Sequence, residues 1–475
     1  MKNWIRGAVF IFVLAVVIGR AYQILSWKDT SGSYVSSLQE LYNTQDDLMD
    51  VVFMGTSHVF AGVNPALLWE DYGIAAFDLA GSGQDKTTTY YNLLELLKTQ
   101  SPKVVCVDLF ALTFDTHSVT GNLYRSTLTM KFSLNAVELV KNEVEEDEQI
   151  DYILRWPIVH TRYKELEQYD FVDSPLNSFG RGYCASWSAG ASVKISDELL
   201  NDSDEEELSD KNREWLQALV DLSEEENFEL ILFIAPYDLS GNESVWEMYN
   251  AAKSFAAEYG VPVLDFNVLA DDIGLDFNAD FSDSTHLNSL GAEKLTDYFG
   301  EYLNTNMNLE DHRGDSSYYL WEEDLDYYRD LEQEVLLLAA LGNSVQEYAE
   351  LLANSRHLSY VITLNGDYTL YLDDIAELLE PLGIDVYEYL NGGKWIYADG
   401  ELMFIMDNQS TLSYTYNLDE SVAVTIENVS LKDENASVFD DVKVNGESQT
   451  SMYDGVYIMV YDTLQHAFIS TLGWN

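Results

Sequence analysis

Cysteine is almost absent from this chain. Cys106 and Cys184 are the only two in 475 residues. Neither lies in a CxxC pair or beside a histidine cluster, so a structural zinc site has no support. Two cysteines do not make a disulfide framework either, although a single bridge stays open. Cys106 stands within an apolar run and reads as a small core residue. Basic residues are also scarce: 25 Lys and Arg face 82 Asp and Glu, for a net charge of −57. A surface of that sign repels phosphate backbones and argues against a nucleic-acid partner. An anionic polymer substrate would need a locally basic groove. Against these absences stands a hydrophobic content of 47%, which excludes global disorder. The length predicts two or three domains.

The N-terminus carries a long apolar run. Lys2 and Arg6 precede Gly7 to Gly19, and Arg20 interrupts before Ala21 to Leu25. No small-x-small cleavage site follows. Trp4 to Leu25 is just long enough to span a bilayer, with Arg20 near one end able to snorkel. Residues 1–27 therefore read as an uncleaved signal anchor, with Lys2 and Arg6 cytoplasmic and the acidic body outside the cell membrane. A cleaved signal and a secreted body is the alternative. Residues 28–47 read as a stalk with a short helix.

From Leu48 the chain alternates between strand and helix patterns. Strands are predicted at Leu48–Met54, Ile74–Leu79, Lys103–Leu109, Phe228–Ala235 and Val261–Phe266. Helices are predicted at Pro65–Tyr72, Thr87–Lys98, Asp210–Glu225, Asn242–Tyr259 and Gly291–Leu303. Strands separated by helices imply a parallel sheet with right-handed crossovers. Five of them suit a flavodoxin-like three-layer α/β sandwich over residues 48–305. The rhythm breaks between 113 and 204, where helical patterns at Leu134–Val144 and Gln149–Tyr163 and a Gly/Ser-rich piece at Ser178–Ser192 suggest an inserted cap. Eight of the 25 basic residues fall between Ala111 and Leu200. The cap reads either as packing elaboration or as a substrate-binding lid. Residues 306–356 read as a linker and a long helix. Short β-like runs around one helix make 357–475 a smaller α+β domain.

The chemistry gathers around Asp50-Val-Val-Phe-Met-Gly55-Thr56-Ser57-His58. An apolar strand ends in a glycine, and a serine follows at the edge where open α/β sheets bind ligands. A serine there is also a common helix N-cap, and as a nucleophile it needs a base. Asp283-Ser-Thr-His286-Leu-Asn288 offers one just before the last helix. Asp283 can turn back to accept from the His286 Nδ1–H, which fixes the tautomer and leaves Nε2 for the serine. Asn288 caps the helix. The same residues also fit an ordinary Asx-turn. Strand one lies centrally in such a sheet, and the loop before the last helix shares its carboxyl edge, so Ser57, Asp283 and His286 are predicted to meet. His58, next to the nucleophile, points elsewhere and reads as a substrate-binding or turn-structuring residue. The other histidines have no comparable partner motif.

The chain resembles the SGNH/GDSL hydrolase superfamily, in particular its membrane-anchored DltD-like and alginate-acetylation-like branch. The resemblance runs from about Leu48 to Leu303. It rests on Gly55-Thr56-Ser57-His58, Gly81-Ser82-Gly83-Gln84 and Asp283-x-x-His286-Leu-Asn288. It implies a Ser-His-Asp esterase or O-acyltransferase acting on acetyl or acyl groups of carbohydrate. The implied partners are an acylated carbohydrate or wall polymer and, as a candidate, a membrane O-acyltransferase; no cofactor is implied. The chain departs from the family in lacking an Asn in the third block, where Val104 to Phe110 offers Asp108. The oxyanion hole would then use the backbone of Ser57 and of the Gly81–Gly83 turn, with Gln84 or Asn64 supplying a side-chain amide. That missing donor favours a rival reading, a non-catalytic surface binding protein on the same scaffold. The C-terminal region resembles an interleukin-like EMT inducer (PANDER-like) module at Tyr360–Thr363, Leu382-Gly383, Lys394–Ala398 and Asp454–Asp462, in permuted order. That likeness implies binding to carbohydrate or protein.

Overall fold

The runs Val51–Met54 and Val104–Val107 are apolar at every position, the signature of strands covered on both faces. Both are fully buried. The computed structural model describes residues 2–26, 37–114, 127–166, 168–171, 180–188, 190–341, 345–355, 357–365, 368, 371–419, 422–428, 442–449, 455–463 and 467–474. In chain order the first elements are α1 (Lys2–Leu25), α2 (Ser37–Leu41), β1 (Val51–Gly55), α3 (Ser57–Gly62), α4 (Pro65–Tyr72), β2 (Ala76–Ala80), α5 (Lys86–Leu96) and β3 (Val104–Asp108). The insertion supplies α6 (Leu134–Glu143), α7 (Gln149–Leu154), α8 (Trp156–Val159) and α9 (Asp197–Leu200). Then come α10 (Asp210–Glu226), β4 (Glu229–Ile234), α11 (Glu243–Glu258), β5 (Val263–Asp265), α12 (Ser289–Asn306) and α13 (Tyr319–Leu341).

The five strands form one parallel sheet in the order β2-β1-β3-β4-β5. This is the flavodoxin-like doubly wound order, whose ligand crevice lies between the carboxyl ends of β1 and β3. The middle strand is β3. β1 lies beside it in the interior, between β2 and β3. Alternation along β1 divides its side chains between two cores. Val52 and Met54 face α5, α10 and α11, while Val51 and Phe53 face α3, α4 and α12. The start of α4 is fixed by Asn64, whose Oδ1 accepts from the Ala66 N–H, with Pro65 at the first helical position.

The insertion departs from the expected continuous helix. Arg155 takes a left-handed backbone (φ 59°) and separates α7 from α8. Pro157, two residues on, has no N–H to continue the ladder. Arg162 is buried, pairs with buried Asp170 at 2.8 Å, and donates to the carbonyls of Leu25 and Ser26 at the end of α1. Nine apolar side chains of α1 between Val9 and Ile18 are exposed. Counted over the described residues, no helix is long and apolar enough to cross a membrane. At the other end of the insertion, the Asp78 N–H of β2 donates to the Arg181 carbonyl. The Arg181 side chain is buried against Glu40, Asp324 and Trp321. Cys106 and Cys184 are not joined in a disulfide.

The chain divides into two compact units, Met1–Tyr328 and Arg329–Asn475. The second contains α14 (Val345–Asn354), β6 (Leu358–Asn365), α15 (Leu372–Leu379), β7 (Gly393–Ala398), β8 (Glu401–Asp407), β9 (Ser413–Asn417), β10 (Ala423–Glu427), β11 (Val442–Val444), β12 (Glu447–Ser448), β13 (Gly455–Asp462) and β14 (Ala467–Trp474). A five-stranded antiparallel sheet runs β14-β13-β6-β7-β8, and a four-stranded one runs β12-β11-β10-β9. Residues 358, 360, 362 and 364 of β6 face the helices, and Val361 faces the smaller sheet through Met406, Val424, Ile426 and Met459. This is an α+β arrangement, as expected. β9, β12 and β14 were not legible in the sequence.

Candidate active site

β1 ends at Gly55, whose φ of +149° few other residues adopt. A Cβ at this position would lie 2.7 Å from the Asp108 Cβ and 3.0 Å from Val59. The glycine therefore lets the ends of β1 and β3 close on each other. Thr56 then caps α3, its Oγ1 accepting from the His58 N–H at 3.3 Å. Ser57 is the first residue of that helix, so its own N–H lacks an intrahelical acceptor.

Asp108 lies beneath this turn, fully buried. Its Oδ2 accepts from Thr56 Oγ1 at 3.1 Å and its Oδ1 from the Phe110 N–H at 3.1 Å. The backbone N–H groups of Thr56 and Ala235 lie close enough to favour its charged form. The carboxyl thus ties together the ends of β1, β3 and β4. Burial pushes its pKa up to about 7, against the pull of those hydrogen bonds. In the sequence Asp108 registered only as a missing asparagine. Its role as an acceptor that holds the serine turn was not legible, because that role depends on three strand ends converging.

His286 arrives from the loop before α12. Phe281 and Leu287 form an antiparallel bridge, and Asn288 caps the helix through the Leu290 and Gly291 N–H groups. Within the loop Asp283 Oδ1 accepts from the backbone N–H of Thr285 (2.7 Å) and His286 (2.9 Å). The Asx-turn and the carboxylate that meets the His286 ring are therefore one feature. His286 Nδ1 lies 2.9 Å from Asp283 Oδ2, and His286 Nε2 lies 2.8 Å from Ser57 Oγ. Burial acts to raise the Asp283 pKa, but hydrogen bonds from His286 and Thr285 outweigh it and hold it down at about 2. An ionised carboxylate only accepts, so Nδ1 carries the proton and Nε2 is free to accept from the serine hydroxyl.

The tail of the insertion braces this loop. The Gly190 N–H donates to Phe281 O at 2.7 Å, Ser192 Oγ to Ser284 O at 2.8 Å, and the Ser289 N–H to Ser186 O at 2.6 Å. A Cβ on Gly190 would lie 2.4 Å from Ser282 O. The sequence marked this piece only as Gly/Ser-rich. Its contact with the base loop spans some 90 residues and leaves no local pattern.

The remaining predicted site residues divide. His58 lies 4% exposed between Phe110 (4.1 Å) and Tyr237 (5.1 Å), with the His286 ring 5.6 Å away. Desolvation, then the neighbouring His286, lower its pKa to about 3, so it is a neutral ring beside the base. Gly83 stands at φ +59° in the turn after β2, whereas the Gly81 N–H already donates to Gly55 O. Gln84 is turned inward: Nε2 donates to Leu79 O and Thr89 Oγ1, and Oε1 accepts from Asn92. Asn64 is buried with α4 and α12, bonded to Ala66 and Thr296. The Gln84 amide is thus engaged away from Ser57, whereas Asn64 uses Oδ1 for Ala66 and its backbone N–H for Thr296, and its buried Nδ2 has no hydrogen-bond partner among the described residues. Each is held by packing that the sequence motif does not encode.

Elsewhere, His312 pairs with Asp50, His357 with Asp330, and His160 with Trp156 O. His117 and His466 lie outside the described residues. Among the described residues no group of three His, Cys, Asp or Glu could hold a metal ion.

No family model and no curated protein matches the chain. Among solved structures it is similar to the crystal structure of a "putative acylhydrolase" from Bacteroides fragilis NCTC 9343. That likeness has a TM-score of 0.27 and 13% identity, and covers 56% of this chain and 94% of the other. It is too slight to bear on what the chain does.

Proposed function

We propose that the protein is a serine-dependent acyl-ester enzyme of the SGNH/GDSL type. The observation that carries this reading is the continuous Ser57–His286–Asp283 hydrogen-bonded relay, assembled from opposite ends of the parallel-sheet domain. His286 Nε2 takes the Ser57 proton as Oγ attacks an acyl carbonyl, and Asp283 stabilises the imidazolium. The Ser57 N–H and the Gly83 N–H are the donors proposed for the tetrahedral oxyanion. His286 returns the proton to the leaving oxygen. Water or a sugar hydroxyl, deprotonated by the same ring, then releases the acyl group from Ser57.

The substrate class proposed is O-acetyl or O-acyl carbohydrate of a cell-surface polymer, with a membrane O-acyltransferase as candidate acyl donor in the transfer mode. An extracytoplasmic body held at the membrane by α1 fits its exposed apolar side chains between Val9 and Ile18. A fluorophosphonate probe tests the central claim. Labelling of the folded wild type that vanishes in Ser57→Ala supports it, and an unlabelled folded wild type sinks it. Turnover of acetylated xylan or a chromogenic acetate, with and without sugar acceptors, separates hydrolysis from transfer.

A further inference from the structure

A second concavity opens beside the catalytic edge. α5 begins at its cap Asp85, directly after the Gly81–Gln84 turn. The insertion lays α6 and the loop Val144–Glu148 along one side, and α10 lies on the other. Between them is a cleft of about 890 Å³, within the size range of ligand sites.

Its lining has a definite chemistry. Tyr90, Tyr91, Phe114 and Trp215 give it aromatic walls. Six carboxylates line it, on Asp85, Glu143, Glu145, Glu146, Glu148 and Glu214, against the amines of Lys86 and Lys211. Lys86 directs its Nζ inward to the carbonyls of Ala111 and Phe114, so the cleft presents a negative field that repels anions. Trp215 is only 6% exposed, and its Nε1 is buried with no hydrogen-bond partner among the described residues. An indole N–H is a donor only, and a buried donor left unpaired calls for an acceptor. Aromatic faces, an unpaired donor and many acceptors together fit a polyhydroxylated ring, which offers C–H faces for stacking and hydroxyls that both donate and accept.

A run of packed rings separates the cleft from the serine. Phe114 meets Phe110 edge-on at 5.4 Å, and Phe110 lies against His58, the neighbour of His286. We propose that the cleft between α5, α6 and α10 binds a pyranose chain free of acidic substituents and leads it to Ser57. This rests on the acyl-ester reading for its destination and on the cleft alone for its ligand.

Calorimetric titration of the full chain carrying Ser57→Ala tests it with three probes: a glucosamine hexamer, xylohexaose and hexagalacturonate. The glucosamine hexamer should bind most tightly, xylohexaose less so, and hexagalacturonate not at all. Tyr90→Ala with Tyr91→Ala should weaken both binders at least tenfold. Glu146→Lys with Glu148→Lys should favour hexagalacturonate over the glucosamine hexamer. Failure of all three probes to bind, or binding indifferent to these four positions, overturns the proposal even if acetate is hydrolysed. Cleft-dependent binding without any acetate hydrolysis supports the cleft and instead removes the esterase reading.

Discussion

The two sides of the Ser57–His286 contact are held in opposite ways, and each is organised by an aspartate. On the serine side Asp108 is wholly buried under the ends of three strands, and its pKa is pushed up to about 7. On the histidine side the Asp283 side chain is 56% exposed in a turn, and its pKa is held down at about 2. The same carboxyl group is thus a structural tie in one place and, at neutral pH, a charged partner of the His286 ring in the other. Desolvation decides the first case, and local N–H and O–H donors decide the second. The contrast predicts that stability and activity respond to different halves of the site.

The largest effects should fall on activity alone. Ser57→Ala or His286→Ala should lower kcat toward an acetate ester by on the order of 10⁴-fold or more, with melting temperature nearly unchanged. Asp283→Asn should cost on the order of 10²–10⁴-fold in kcat and equally little stability. A large drop in its melting temperature would erase the contrast. Asp108→Ala should behave in the reverse manner. It strands the Thr56, Phe110 and Ala235 donors and should destabilise the fold by about 3–5 kcal/mol in urea titrations.

A pH series sharpens the same comparison. The folded pKa of Asp108 lies above its ordinary 3.8, so the folded state holds an extra proton between about 4 and 7. Its contribution to stability is therefore present at low pH and falls as pH rises through about 7, by on the order of 4 kcal/mol at most. Asp108→Asn should flatten that decline in urea titrations run from pH 4 to 8. Asp283 works with the opposite sign. Its depressed pKa contributes stability that is present above 3.8 and is lost as pH falls through about 2. The smallest effect is expected at the brace. Gly190→Ala forces a methyl against Ser282 O and should cost about 1–3 kcal/mol by overpacking, with a partial loss of kcat as the His286 loop shifts.

Legibility followed the range of the interactions. The parallel sheet was readable because fully covered strands leave unbroken apolar runs such as Val104–Val107. The relay was readable because Asp283 and His286 lie three residues apart and Gly55-Thr-Ser57 is a local turn. What stayed hidden depends on packing between distant segments. Gln84 stood in the right motif for a site amide, yet its bonds to Leu79, Thr89 and Asn92 turn it inward. Asp108 was read as a deficit because the donors around it belong to three different strand ends. The aromatic and acidic cleft draws on segments from Asp85 to Ala218, with no spacing to betray it.

The bond from the Asp78 N–H to the Arg181 carbonyl has a consequence for how copies of this chain meet one another. β2 is an outer strand of the parallel sheet, and an outer strand offers unpaired backbone groups to any other strand. Arg181 holds its main chain against that margin with buried ion pairs to Glu40 and Asp324. A Cβ on Gly182 would lie 2.1 Å from Asp78 O, so the cover fits closely. The opposite margin, β5, is only three residues long. A domain guarded in this way resists strand-by-strand self-association, and loosening the Arg181 anchor should show first as aggregation on storage, before any change in turnover.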